Sequence, residues 1–263
     1  MDLITYCTVD KVKAYLDRIS YSGPVSPTDD TLRELQLAHL RSVPFENLSI
    51  SAGEPIVLDD DELFTKMVEK RRGGFCYEAN GLFAWLLRKL RFEVSMLSAG
   101  VAREKGGFSP DFDHMALLVR TPEASNRWLV DVGFGESFLE PLLVDEQGEQ
   151  VQGKNSFQLV PDGDGLILMR RKGEEPWKAE YRFSLRPYSY PDYAEMCLFH
   201  QTSSESHFTK NRICSRATAD GRITLSDMRL IITSDNGEVR TERTLSSQEE
   251  YDRVLKDEFG IVL

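Results

Sequence analysis

The sequence predicts an α+β fold of more than one lobe: helices first, then a run of antiparallel strands, then a mixed segment. Three observations predict it. Apolar residues recur at helical spacing through the first third. Short β-rich segments punctuated by Gly, Pro and Asp follow one another from about Phe92. At 263 residues with 41% apolar content, the chain exceeds an average single domain and can fill a substantial core.

In the first third, Val12, Tyr15, Leu16 and Ile19 mark one helix. Leu32, Leu35, Leu37 and Leu40 mark a second, behind the capping candidates Thr28 and Asp29. Asp59 to Asp61 head a third, ELFTKMVEK, with acids at its start and a lysine at its end as the helix dipole prefers. Phe75 to Leu90 is an apolar-rich fourth, preceded by Gly73 and Gly74. Strands are expected at VSMLSAGVA, HMALLVR, RWLVDVGF, SFQLV, LILMRR and AEYRFSL, and so many in succession imply an antiparallel barrel or sandwich. The last part has a helix start at Pro191, strands around RICSRAT, RITLSD, MRLIITS and EVRTERTL, and a terminal helix from Ser247 to Glu258. There is no internal repeat and no low-complexity linker.

The formal charge of −11 repels nucleic acid and anionic membrane surfaces, so neither is an expected partner. No apolar run is long enough to span a bilayer, and Met1 to Thr8 lacks the basic segment and apolar core of a secretory leader, so a cytoplasmic protein is expected. Cys7, Cys76, Cys197 and Cys214 are too few and scattered for a disulfide framework. Cys197 and His200, with His207 and Cys214 further on, invite a zinc site. The spacing is not a standard pair of ligand dipeptides, however, and Cys197 sits among Met196, Leu198 and Phe199 as a buried thiol does. No metal is expected.

Chemistry concentrates in three places. In RRGGFCYEANGLF a Gly-Gly turn sets Cys76 at the opening of a helix. There glycines permit unusual backbone conformations, and the unsatisfied N–H groups favour a thiolate. The plain alternative is an inert buried cysteine. In FDHMALLVR, His114 begins an alternating run and shares a strand face with Ala116 and Leu118, so its imidazole can look into a cleft or merely satisfy a core hydrogen bond. In WLVDVGFG, Asp131 interrupts an apolar strand. A carboxylate there requires a donor, either an imidazole N–H or the backbone near Gly133. Cysteine, histidine and aspartate together make up a thiol triad of nucleophile, base and orienting acid.

The words around these residues resemble those of the arylamine N-acetyltransferases: LRSVPFENLSI (40–50), RGGFCYEANGLF (72–83), DHMALLV (113–119) and WLVDVGFG (128–135). A weaker QTSSESHFTKNRICSR region and a terminal FGIVL extend the resemblance over essentially the whole chain. It implies a cysteine-protease-like core with an N-terminal helical bundle (1–91), a central antiparallel β-barrel (92–190) and a C-terminal α/β lid (191–263). It also implies Cys76 as the acylated nucleophile, His114 as its base and Asp131 as the residue holding the imidazole. Phe45 and Phe134 match acceptor-pocket positions, Gly135 a position near the acyl-donor cleft, and Phe208 a further cleft aromatic. Ordinary core packing would equally explain the two phenylalanines Phe45 and Phe134.

Where many relatives close VGFGG with two glycines, this chain has Gly135-Glu136, which puts an acid near a polyanionic coenzyme. The implied reaction is ping-pong. Acetyl-CoA, or another acyl-CoA, acylates Cys76 as a substrate, no cofactor being tightly bound, and an arylamine, arylhydrazine or N-hydroxyarylamine then takes the acyl group. A thiol hydrolase or transglutaminase-like enzyme, and a catalytically idle scaffold, are the alternatives for the same three residue types.

Overall fold

The computed structural model describes residues 3–122, 126–234 and 239–263, with side chains from Asp10 onward. The side chain of Cys7 thus lies outside the described residues. Helices come first: α1 (Leu3–Arg18), α2 (Asp29–Ser42), the short α3 (Leu48–Ala52) and α4 (Asp60–Phe64), and α5 (Cys76–Lys89). Thr28 caps α2 by accepting the Thr31 N–H. The buried stripe of α2 is Leu32, Leu35, Gln36, His39 and Leu40, the i, i+3, i+4, i+7, i+8 positions of one face. Leu37 falls off that stripe and is half-buried, which corrects the leucine-only reading. Asp59 caps α4, which widens after Phe64 into a π-helical turn over Thr65–Glu69 rather than running on as a single α-helix.

In α5 every residue from Cys76 to Leu87 is buried, as expected of a helix at the centre of a core. Arg18 ties the bundle together from α1, donating to the carbonyls of Ser42, Met67, Arg71 and Arg72.

A two-residue strand, β1 (Phe45–Glu46), precedes the main sheet. That sheet consists of β2 (Glu93–Val101), β3 (His114–Arg120), β4 (Arg127–Val130), β5 (Leu142–Leu143), β6 (Gln150–Gln152), β7 (Asn155–Asp162), β8 (Gly165–Lys172) and β9 (Lys178–Tyr188). They run antiparallel in the order β5-β4-β3-β2-β9-β8-β7-β6. Glutamines join the two edges. Gln150 of β6 accepts the Leu143 N–H and donates to the Leu143 carbonyl in β5, while Gln152 meets the backbone of Leu139 and Glu140. The sheet is therefore a nearly closed barrel whose edges are covered by side-chain amides.

Side-chain alternation gives the first barrel strands two buried faces. Leu97, Ala99, Ala116, Leu118 and Leu129 fill the barrel with Phe157, Leu168, Tyr181 and Phe183. Met96, Met115, Leu117, Val119, Trp128 and Val130 point the other way, into the helical core around α5. This double burial is why HMALLVR and RWLV read as continuous apolar runs.

The lid begins with α6 (Tyr190–Thr202). It continues with β10 (Ile213–Ala217), β11 (Arg222–Ser226), β12 (Arg229–Ser234), β13 (Val239–Thr244) and α7 (Gln248–Phe259). Its sheet has the order β1-β10-β11-β12-β13, so the short strand from the first third of the chain is its edge. Cys214, Ile223, Leu225 and Leu230 pack against Tyr251, Val254, Leu255 and Phe259 of α7. The sequence reading missed β1, β5 and β6, which at two or three residues are too short to show a period. Among the described residues no helix is long and apolar enough to cross a membrane.

Candidate active site

Cys76 is the first residue of α5, and the loop before it is fixed from the helical side. The Glu46 N–H donates to the Gly74 carbonyl at 3.0 Å, and Phe45 bridges Gly74 in parallel. A Cβ on Gly73 would lie 2.0 Å from the Pro44 carbonyl oxygen. Neither Gly73 nor Gly74 has a positive φ, so the pair is needed for close approach and not for an unusual dihedral, which corrects the sequence reading. Arg72 grips Glu46 through Nε and Nη2 at 3.0 and 3.3 Å. Burial pushes the Glu46 carboxyl up, but Lys66 and Arg72 outweigh it and hold the group below the usual carboxylate range. Glu78 accepts the Phe75 N–H at 3.1 Å and the Lys66 ammonium at 2.7 Å, which secures the first turn of α5.

His114 opens β3, and Asp131 follows the last residue of β4, one strand over. The imidazole Nε2 and the Asp131 Oδ2 are 2.7 Å apart, both groups buried. Asp131 Oδ1 accepts the Gly133 N–H at 2.9 Å and Asn80 Nδ2 at 2.9 Å. Both sequence readings of Asp131 therefore hold: it takes the turn N–H with one oxygen and the histidine with the other. The His114 ring lies 5.0 Å from Phe134 and 5.1 Å from Tyr181, centroid to centroid, so packing also fixes its plane.

Cys76, His114, Phe45, Phe134, Gly135 and Phe208 all line one cavity of about 920 Å³, while Asp131 sits behind His114 and does not reach it. Gly133 presses on the nucleophile's backbone: a Cβ there would stand 2.7 Å from Cys76 Cα. Burial pushes the Cys76 thiol well above the ordinary thiol range. The Met115 backbone N–H pulls the other way, and the Asp113 and Asp131 carboxylates push it further up. Burial thus reverses the lowering expected from the helix start alone. A thiolate here needs a cation beside it, and His114 lines the same cavity as Cys76.

The four candidate zinc ligands do not converge. Cys197 contacts Gln201, and Cys214 lies in the α7 core. His207 meets Asn211. His200 Nδ1 meets Ser206 Oγ at 3.1 Å, while its Nε2 lies 3.2 Å from Asp113 Oδ1 without hydrogen-bond alignment. Cys76, Cys197 and Cys214 are free thiols.

Asn80 is the functional neighbour that the sequence reading passed over. Its amide also donates to the Met115 carbonyl at 2.6 Å and accepts the Val132 N–H at 2.9 Å. The available signal was a polar residue one turn beyond Cys76 in a stretch, Ala79 to Leu87, that is otherwise free of polar side chains.

A family model described as N-acetyltransferase matches residues 28–263. The arylamine N-acetyltransferase pineal gland isozyme NAT-10 of Gallus gallus is 33% identical, over 96% of this chain and 94% of that protein. Proansamycin X synthase of Amycolatopsis mediterranei (strain S699) is 32% identical, over 95% and 98%. The structure of Mycobacterium marinum arylamine N-acetyltransferase in complex with CoA matches with a TM-score of 0.87 at 33% identity, over 95% of this chain and 92% of that one. Fold, cavity and whole-length similarity agree: the chain belongs to the arylamine N-acetyltransferase family.

Proposed function

We propose that the protein moves an acetyl group from acetyl-coenzyme A, through a thioester on Cys76, to the nitrogen of an arylamine, arylhydrazine or N-hydroxyarylamine. The observation that carries this reading is the 2.7 Å contact between His114 Nε2 and Asp131 Oδ2, behind a cavity that both His114 and Cys76 line. With Nε2 committed to the carboxylate, Nδ1 is the ring nitrogen left for the thiol. His114 takes the Cys76 proton as sulfur attacks the thioester carbonyl, and Asp131 steadies the imidazolium so formed. Backbone N–H groups at the start of α5 stabilise the oxyanion. As the carbon–sulfur bond to coenzyme A breaks, the leaving thiolate takes the proton from His114.

In the second half the acceptor nitrogen attacks the Cys76 thioester and gives its proton to His114. Cys76 then leaves as thiolate and is reprotonated. Phe45, Phe134 and Phe208 form an aromatic wall for a flat acceptor ring, with Phe45 and Phe208 centroids 6.2 Å apart. Gly135 borders the donor's path. An arylamine enters with its lone pair free near neutral pH, whereas an alkyl amine such as lysine enters protonated. The three lobes at 1–91, 92–190 and 191–263 contribute nucleophile, base and cover, although β1 crosses from the first into the sheet of the third. The charge of −11 argues against nucleic acid as a partner and fits a cytoplasmic enzyme acting on small molecules.

Acceptor discrimination tests the reading. Enzyme acylated with acetyl-coenzyme A is mixed with water alone, an aminophenol or a lysine peptide, and deacylation is followed in single turnover. Deacylation by the arylamine should be fastest by a wide margin. Equal rates with water and arylamine would indicate a thiol hydrolase, a lead for the peptide a transglutaminase-like enzyme, and no acyl-enzyme an idle scaffold.

A further inference from the structure

The lid sheet has two faces, and the active-site cavity uses the one that α7 does not cover. Phe45, Ile213, Ser215, Arg222 and Thr224 all line that cavity. The register explains why: Phe45 pairs with Ser215 and Ser215 with Thr224, while Arg222 lies two residues before Thr224 on the same face of β11. Arg222 is out of place among these neighbours. It is partly buried; burial pulls its guanidinium pKa down, Arg170 pulls the same way, and Glu136 opposes them. Its one side-chain hydrogen bond runs from Nη1 to Ser215 Oγ at 3.0 Å. Among the described residues no carboxylate forms an ion pair with it. A guanidinium has five N–H donors, so most of those on Arg222 have no partner among the described residues, and a half-desolvated cation of this kind at a cavity wall favours an anion.

Glu136, the acid that replaces a glycine, does not fill that role. Its carboxylate is 3.2 Å from Arg170 Nη1, and Arg170 also holds Glu180 at 2.6 Å. Glu136 is thus matched by Arg170 and leaves Arg222 open. Beyond these two residues lies a second cavity of about 190 Å³. It is lined by both of them together with the polar side chains of Gln152, Lys154, Asn155 and Thr218. Arg222 and Glu136 therefore border both the cavity that Cys76 lines and this second one. Arg103, the other arginine on the main cavity wall, is exposed.

We infer that Arg222 is the anion anchor of the donor site, taking phosphate oxygens of the acyl-coenzyme A while the pantetheine arm lies along Ser215 and Thr224 toward Cys76. This rests on the acetyl-coenzyme A reading above. It makes donor selection depend on a charge-assisted contact remote from the reacting carbonyl, so the residue acts on donor binding and not on the chemical step.

The test is calorimetric titration of coenzyme A, dephospho-coenzyme A and pantetheine into the wild type, Arg222→Gln and Arg222→Lys. Coenzyme A should bind Arg222→Gln about 10- to 100-fold more weakly than wild type, and Arg222→Lys should recover part of the loss. Pantetheine, which has no phosphate, should bind all three proteins alike. If dephospho-coenzyme A shares the loss, the anchored group is the diphosphate; if it does not, the group is the 3′-phosphate. Unchanged coenzyme A binding in a folded Arg222→Gln protein, or an equal loss for pantetheine, overturns the inference and leaves the acetyl-transfer reading standing. Should the variants fail to fold, wild type alone decides: coenzyme A must bind more tightly than pantetheine, by a margin that shrinks with added salt. Wild type that binds none of the three ligands and is not acylated by acetyl-coenzyme A removes the donor reading itself.

Discussion

Asn80 Nδ2 donates to Asp131 Oδ1 at 2.9 Å, so one buried amide joins the helix that begins at Cys76 to the strand end that holds His114 in place. The same side chain satisfies the Met115 carbonyl and the Val132 N–H. Asn80→Ala removes the amide partner of the buried Met115 carbonyl and Val132 N–H, and one of the two donors to Asp131 Oδ1. It should cost about 2–4 kcal/mol of stability, read from the denaturant midpoint. A midpoint equal to wild type would mean that the amide is not what joins helix and barrel.

Gly133 acts by being small. With a Cβ placed 2.7 Å from Cys76 Cα, Gly133→Ala must shift backbone on one side or the other. A displacement of about 1 Å at a reacting group costs on the order of 10²-fold in rate. Single-turnover acetylation of Gly133→Ala should show a loss of that order with the circular dichroism spectrum kept. Full activity in the alanine variant would show that the turn relaxes without moving the nucleophile.

Legibility followed local chemistry. Cys76, His114 and Asp131 stand out because each is the wrong polarity, or has the wrong neighbours, for its element, and their flanking words are specific. The passage from helices to strands was legible from the change of period near Phe92. What escaped notice depends on contacts distant in sequence. Asp29 reads as a helix-start acid, yet its Oδ1 accepts the Trp128 indole N–H at 2.9 Å and the Thr121 hydroxyl at 3.1 Å, tying α2 to the barrel. His39 and Gln36 occupy core positions that a count of leucines assigns elsewhere. The effect of burial on the Cys76 thiol also depends on Asp113, Met115 and Asp131, which only the fold brings near.

The thiol's environment sets a pH signature. Burial and two carboxylates push the Cys76 pKa up, and in the proposed mechanism His114 is the group that takes the thiol's proton. In wild type, iodoacetamide should alkylate Cys76 below the free-thiol pKa of about 8.5, because His114 takes the thiol's proton as sulfur attacks. His114→Asn removes that base and leaves only the raised thiol, so alkylation should need a pH above about 8.5. Superimposable pH profiles for the two proteins would show that His114 does not share the thiol's proton.

A second pH effect concerns stability. His39 is fully buried in α2, with Nδ1 2.9 Å from the Tyr15 hydroxyl, and burial lowers its pKa from 6.5 to about 3. Between these values the unfolded chain binds a proton that the native one does not. The contribution of His39 is therefore complete above pH 6.5 and declines as pH falls through the window, by at most about 1.4 kcal/mol per pH unit. His39→Phe removes that proton uptake, so the stability gap between wild type and variant should move in the variant's favour on going from pH 7 to about pH 5. Parallel curves over that range would show that His39 takes up its proton alike in the native and unfolded states.

The central claim is that an acyl group resides on Cys76 between the two substrates, and intact mass spectrometry with peptide mapping tests it most directly. Protein mixed with acetyl-coenzyme A and no acceptor, then quenched in acid, should carry one acetyl group, mapped to the peptide that contains Cys76. That acetyl should be lost on brief exposure to an arylamine and should never form on Cys76→Ser. Acetylation mapped to Cys197 or Cys214, or a folded protein that takes no label from acetyl-coenzyme A, would contradict the account.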